Sequence, residues 1–503
     1  MRKWLIVVAA GILITIVALY GLRNKIHAMV LARIETVLRS HFESQIEISD
    51  FAVSVFPRIH VTIDGLVMRH KGRTDIPPLI QVQRASVYAD WLKLLRHRPH
   101  ISFMQLEGLQ IHTPPRQPGG EPLIRSTNQN LAKKYPVLVE EVLANDAILV
   151  ILRGDPKKEP RPFPIHHLVI RDLSFDNPAK FQAVMLNAVP LGEIDATGEF
   201  GPWLPEVPRE TQATGKYIFK NADLGTLKGI EGILTSEGTF SGPLDRLKVD
   251  GVTDTPDFRL RTADHPVALH TEFSSIVDGT DGNTYLLLVT AQFLQTNLAV
   301  TGKVVDADRQ VKGRSIALEV NSQDARVEDL IRLTVKGKEP VMTGAVSLKS
   351  TIDIPEGDGD LLDRLKLNGE FGIAAAQFSK SSVQSKLDAL SRRAQGQPKD
   401  LSIKEVASEM NGKFRVSNAV AHFANLKFGV PGALVDLSGD YNLNDGALDF
   451  RGKLILQAKL SQTQTGVKSF FLKAIDPFFK GKDAGAVLPI KISGTRQNPA
   501  FGL

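Results

Sequence analysis

The sequence predicts a mainly β protein: a single N-terminal transmembrane helix, then a long, largely antiparallel sheet with a few amphipathic helices. Three observations predict it. Residues 448–460 place Leu448, Phe450, Leu454, Leu456, Ala458 and Leu460 on one face of an extended chain and Asp449, Arg451, Lys453, Gln457 and Lys459 on the other, the period-2 signature of a one-sided strand. From Trp4 to Leu22 no side chain is ionisable except the Tyr20 phenol. An octapeptide, Leu244-Asp245-Arg246-Leu247-Lys248-Val249-Asp250-Gly251, returns as Leu362-Asp363-Arg364-Leu365-Lys366-Leu367-Asn368-Gly369.

The apolar run at Trp4–Leu22 follows Arg2 and Lys3. At about 1.5 Å per residue it is long enough to cross a bilayer core of roughly 30 Å. A cleaved signal peptide is the competing reading, but the apolar region is long for one and Ala18-Leu19-Tyr20 is a poor small-residue cleavage site. The sequence therefore favours an uncleaved anchor over residues 1–22. Arg23 and Lys25 nearly balance Arg2 and Lys3, so charge alone orients it weakly. The short basic tail favours a cytoplasmic N-terminus and a translocated bulk.

Residues 23–175 read as an N-terminal β-rich region with a leading helix. Ile26, Val30, Ile34, Val37 and Leu38 recur at helical spacing over 24–43, on a helix that either caps the first sheet or lies on the membrane surface. Strand patterns follow at 46–63, 79–88, 101–111 and 165–175, with a helical turn at 91–95 and a Pro-, Gly-, Arg- and Asn-rich loop over 113–135.

Residues 176–503 read as one long β region. Residues 186–203 are punctuated by Gly and Pro, short strands start at Thr211, and 284–319 looks like paired strands. Each copy of the octapeptide is a turn or short helix feeding a strand, the grammar either of repeated supersecondary units or of ordinary β-turns. Val435, Leu437, Tyr441 and Leu443 alternate with Asp436, Ser438, Asp440 and Asn442, and Asp445-Gly446 then marks a tight hairpin. Helical patterns interrupt at 380–395 and 465–480. In the second, Phe470, Phe471, Phe478 and Phe479 sit among lysines, either as a membrane contact or as a plug for the end of a core.

Composition excludes several classes. Hydrophobic residues at 43% and charged residues at 23% exclude a disordered chain, and the net charge of +6 is not gathered into a nucleic-acid footprint. With no Cys, disulfides, thiol catalysis and thiolate metal sites are absent. Adjacent His166 and His167 would point to opposite faces of a strand. The acidic run Asp353, Glu356, Asp358, Asp360, Asp363 lacks EF-hand spacing. No metalloprotease helix, nucleophile elbow or phosphate loop is present, so the expectation is a non-enzymatic protein without metal or cofactor. The basic loop containing Arg96 and Arg98, close in sequence to the anchor, either contacts anionic head groups or forms a solvated rim.

The short basic tail, the span, the amphipathic helix and the long run of alternating strands ending in Asp476-Pro477-Phe478-Phe479-Lys480 and Leu488-Pro489-Ile490-Lys491-Ile492-Ser493-Gly494 together resemble the AsmA-like proteins of Gram-negative bacteria. That resemblance implies an inner-membrane anchor, a periplasmic body related to bridge-like lipid transfer proteins, and a curved β-groove lined by apolar side chains. It also implies phospholipid as ligand, outer-membrane or periplasmic partner proteins, and a place in outer-membrane lipid homeostasis. The lining predicted from the residues is Val435, Leu437, Tyr441, Leu443, Leu448, Phe450, Leu454, Leu456, Ala458 and Leu460. The alternative is a structural or assembly factor for outer-membrane proteins, acting by strand addition, with the same side chains packed in a closed core.

Overall fold

The structure, a computed structural model, describes residues 44–54, 57–70, 74–90, 93, 100–113, 138–151, 161–174, 176–202, 204, 208–227, 229–261, 263, 265–306, 313–334, 340–357, 361–457, 487–495 and 498–502. The predicted span at Trp4–Leu22, the helix over 24–43 and the segment 465–480 lie outside these residues. Among the described residues no helix is long and apolar enough to cross a membrane. The chain is mainly β, as its alternation predicts, and divides into two compact units. The first holds the chain up to Lys220 with Glu237–Val249 and Val277–Asp281; the second holds Asn221–Ser236, Asp250–Ile276 and Gly282 onward.

The first unit contains β1 (Ser44–Glu47), β2 (Asp50–Ser54), β3 (Ile59–His70), β4 (Ile80–Ala89), β5 (His100–Ile101), β6 (Phe103–Glu107), β7 (Gln110–Thr113), β8 (Leu138–Ile151), β9 (Arg161–Ser174), β10 (Ala179–Ala188) and β11 (Leu191–Phe200). Its ladders are antiparallel except that β8 runs parallel to β5, β6 and β7, which makes the sheet mixed. Parallel pairing needs a connection of about a dozen residues or more, and residues 114–137 separate β7 from β8 in the chain. The single strand expected over 101–111 is three short ones, broken at Ser102 and at Gly108, whose φ is +63°. The Pro- and Gly-rich stretch near 190 is itself paired, β11 against β10 over their full lengths. Phe51, Val61, Ile63, Val82, Ala85, Leu109, Ala144, Ala147 and Ile165 form the core of this unit.

Strands β12 (Gln212–Asp223), β13 (Ile230–Glu231), β14 (Ile233–Pro243), β15 (Leu247–Leu260) and β16 (Val267–Val277) contribute to the two units. The rest of the second unit is a meander: β17 (Thr284–Phe293), β18 (Thr296–Val305), β19 (Ser315–Arg326), α1 (Val327–Thr334), β20 (Met342–Ile354), α2 (Leu361–Arg364), β21 (Lys366–Phe378), α3 (Ser381–Ala394), β22 (Ser408–Ser417), β23 (Val420–Val430), β24 (Ala433–Asn442), β25 (Ala447–Leu456), β26 (Val487–Thr495) and β27 (Pro499–Gly502). Each of these strands pairs antiparallel with the next.

Local chemistry sets the turns. Asn418 and Ala419 take φ of +50° and +57° between paired Ser417 and Val420, a two-residue hairpin whose twist suits the flanking strands. The predicted hairpin at Asp445-Gly446 joins β24 to β25, with Gly446 at φ +74° and the Asp445 carboxylate accepting from Ala447 N–H at 2.9 Å. The first octapeptide copy is a turn entering β15, and the second runs through α2 into β21.

Candidate functional site: an apolar face on strands β18 to β26

Side chains of a strand alternate between faces, so register alone decides which residues stand together. In the second unit one residue per strand lines up into rows. The middle row reads Val300, Val320, Ser350, Gly369, Phe414, Phe423, Gly439, Phe450 and Ile492. On one side of it runs Gly302, Leu318, Ile352, Leu367, Val416, Ala421, Tyr441, Leu448 and Gly494. On the other side runs Leu348, Phe371, Gly412, Leu426, Leu437, Gly452 and Ile490, then Val346, Ile373, Met410, Phe428, Val435, Leu454 and Leu488. Nine strands about 4.8 Å apart make this face on the order of 40 Å across the strands. No charged residue stands in any of these rows.

Of the predicted lining, Val435, Leu437, Tyr441, Leu448, Phe450, Leu454 and Leu456 stand on this face by register. Val435, Leu437 and Tyr441 on β24 register with Leu454, Gly452 and Leu448 on β25, and Phe450 registers with Gly439. Leu437, Phe450 and Leu456 are buried, at 8%, 6% and 7% exposure; Leu448 and Tyr441 are half-buried. Leu443 instead lies beyond the end of β24, exposed in the hairpin. Ala458, Leu460, Phe470, Phe471, Phe478, Phe479, Arg96 and Arg98 lie outside the described residues.

Phenylalanines and glycines alternate across the centre. The rings of Phe371 and Phe414, Phe414 and Phe423, and Phe423 and Phe450 have centroids 6.2, 6.5 and 5.8 Å apart, within aromatic contact. Phe423 and Phe450 belong to strands that are not neighbours. They meet because Gly439 stands between them with no side chain and a φ of +156°. Gly369 makes room for a ring on the adjacent strand: a Cβ there would stand 2.8 Å from the Phe414 ring.

Two helices close one side of the face. Leu330 and Ile331 of α1 pack on a cluster with Ala325, Val346, Ile373 and Ala376. Leu387, Leu390 and Ala394 of α3 pack with Val430, Ala433, Leu454 and Leu456. Leu454 and Leu456 therefore lie under α3. No residue of the middle row, or of the row through Tyr441 and Leu448, belongs to either cluster.

Each helix carries a buried, hydrogen-bonded carboxylate. Asp329, 6% exposed, accepts from Gln295 N–H at 2.9 Å and Thr296 Oγ1 at 2.8 Å. Asp388, 7% exposed, accepts from Val406 N–H and the Gln384 amide, both at 3.0 Å. Burial pushes Asp388 up, but hydrogen bonds from Val406, Gln384 and the Glu405 backbone, with the Arg392 charge nearby, outweigh it and hold its pKa below the ordinary aspartate value.

The opposite face is polar. Lys413 and Glu370 approach to 3.8 Å, His422 and Asp440 to 2.7 Å, and Lys453 and Asp436 to 4.0 Å, all near the surface, where such pairs add little stability. Among the described residues no three His, Asp or Glu side chains stand together to hold a metal; Asp353, the first of the acidic run, lies in β20 and Asp363, the last, in α2, while Asp358 and Asp360 lie outside the described residues. What the arrangement offers chemically is a long run of apolar side chains with no charged group among them. Sequence reading missed most of it, although Val346, Leu348, Ile352 and Ile354 alternate with Ser347, Lys349, Thr351 and Asp353 as clearly as the strands it found.

Compared with family models, curated proteins and solved structures, the chain matches none.

Proposed function

We propose that this protein binds phospholipid along the apolar face of β18 to β26 and passes it along that face. The observation that carries the reading is the uninterrupted, charge-free register of the two rows through Phe450 and Leu448, outside the helix-packed clusters. Moving a lipid of about thirty methylenes from a bilayer into water costs over about 20 kcal/mol, at roughly 0.8 kcal/mol per methylene. A face of this kind offsets most of that cost without any covalent step. The reading carries with it the AsmA-like resemblance: an inner-membrane anchor at Trp4–Leu22, a periplasmic body, and a role in outer-membrane lipid homeostasis.

The test is native mass spectrometry of the full chain from a membrane-containing host, with extraction and identification of bound lipid. Phospholipid is expected with the wild type and with Lys453→Asp on the polar face, and is expected to be lost from folded Leu448→Asp and Phe423→Asp. A well-folded wild type that carries no lipid under any gentle extraction refutes the reading.

A further inference from the structure

Helix α3 covers part of the same face, and the way it is held is informative. Its apolar grip is Leu387, Leu390 and Ala394. Its remaining hold is polar and goes mainly to loops. Ser391 Oγ donates to Pro431 O at 2.8 Å, Arg392 donates to Ile403 O at 2.8 Å, and Gln384 donates to Val406 O at 3.0 Å. Asp388 accepts from Val406 N–H. Pro431, Ile403 and Val406 all lie outside the strands; among the described residues the helix's side-chain bond to a strand is Gln384 Oε1 accepting from Phe378 N–H at the end of β21. Gly396, at φ +75°, ends the helix and leads into residues 397–407, where Leu401 is 76% exposed.

Water can replace each of these polar bonds when the helix lifts, so that opening costs their net worth and not the larger penalty of leaving them unmade. Water cannot replace the contact of two leucines with Leu454 and Leu456, but a hydrocarbon chain can, because it presents the same chemistry to the same side chains. We infer that α3 is a lid: closed here, it covers the end of the apolar face that a lipid chain would take, and it lifts to admit one. The inference rests on the lipid reading above. Helix α1, by contrast, is anchored through Asp329 to Thr296, a residue of β18, and stays as a fixed wall.

The chain has no cysteine, so one engineered disulfide tests the lid cleanly. Ser391 Oγ donates to Pro431 O at 2.8 Å, which sets the two residues side by side as the pair to link by a disulfide, whose Cα atoms stand about 4.4–6.8 Å apart. In the Ser391→Cys, Pro431→Cys variant, uptake of a fluorescent phospholipid from vesicles is expected to be at least tenfold slower oxidised than reduced. Leu387→Ser with Leu390→Ser loosens the grip and is expected to speed uptake. Equal rates in the oxidised and reduced forms, with no gain from the serine variant, overturn the lid. If the wild type takes up no lipid at all, the lipid reading fails, and hydrogen exchange then decides on the lid alone. Amides of α3 exchanging well before those of β24 and β25 support it; equal protection overturns it.

Discussion

Gly439→Ala is the sharpest test of the packing at the centre of the face. A Cβ at Gly439 would stand 2.1 Å from Asp449 O and 2.6 Å from Phe450 Cα, against the 3.4–4 Å of ordinary contact. Backbone atoms cannot swing aside as a flexible side chain would, so β24 and β25 must separate by over an ångström where Phe423 and Phe450 meet. The φ of +156° adds strain for any residue with a Cβ. Overpacking and a disfavoured backbone region each cost about 1–3 kcal/mol, so the expected loss is about 2–6 kcal/mol. Gly429→Ala is the control: its nearest atoms lie at 3.9 Å, and the expected change is within about 0.5 kcal/mol. Urea unfolding followed by far-ultraviolet circular dichroism, with the m-value checked for constancy, measures both. If Gly439→Ala unfolds within about 0.5 kcal/mol of the wild type, the ring ladder does not depend on that glycine and the argument for it fails.

Asp388 predicts a pH dependence of fixed sign. Its folded pKa lies below the ordinary value, so its contribution is present above the ordinary aspartate pKa of about 3.9 and is lost as pH falls through the lower folded value. Hydrogen exchange of α3 should accelerate over that acid range in the wild type, whereas Asp388→Asn should exchange faster already at neutral pH and respond less to acid. A response of the same size in Asp388→Asn would refute the assignment. Lys413→Ala removes one half of a pair whose side chains are 74% and 58% exposed, and should shift stability by less than about 0.5 kcal/mol. A larger loss in urea unfolding would mean that the polar face bears structural weight.

Some of this was legible in the sequence because one kind of signal was uncontaminated. In β24 and β25 the outward positions carry Asp436, Asp440, Asp449, Arg451 and Lys453, so the two faces differ by full charges and the period of two is plain. The helix expected over 380–395 is α3, Ser381–Ala394, because its leucines fall at helical spacing. Across β21 and β22 the same face was hidden by glycine. Gly369 and Gly412 occupy inward positions, where a count of hydrophobic residues sees a gap, although each marks a place where a neighbouring ring lies over the backbone. The β10–β11 hairpin was hidden differently: Val189-Pro190 and Gly192 look like a loop, yet Val189 and Pro190 are the turn and the ladder resumes at Leu191. No local signal could have reported the parallel pairing of β8 or the cover of α3 on Leu454 and Leu456. Each is a contact between residues far apart in the chain, settled by the packing of complementary surfaces after the strands exist.

The meander also explains why the helices gather on one side. In an antiparallel run, successive connections alternate between the two ends of the strands. The connections after β19, β21, β23 and β25 therefore share one end; those after β20, β22 and β24 share the other. Helix α1 follows β19 and α3 follows β21, so both emerge at the end where Ala325, Ala376, Val430 and Leu456 stand, and they can cover only the rows nearest to it. The tight turns after β22 and β24 leave the other end without room for a comparable insertion. The connection after β25 leaves from Leu456 and returns at Val487, at the same end as the two helices, and carries Phe470, Phe471, Phe478 and Phe479 within it. Helices α1 and α3 thus both enter beside the same rows. The rows through Phe450 and Leu448 lie beyond the reach of α1 and α3.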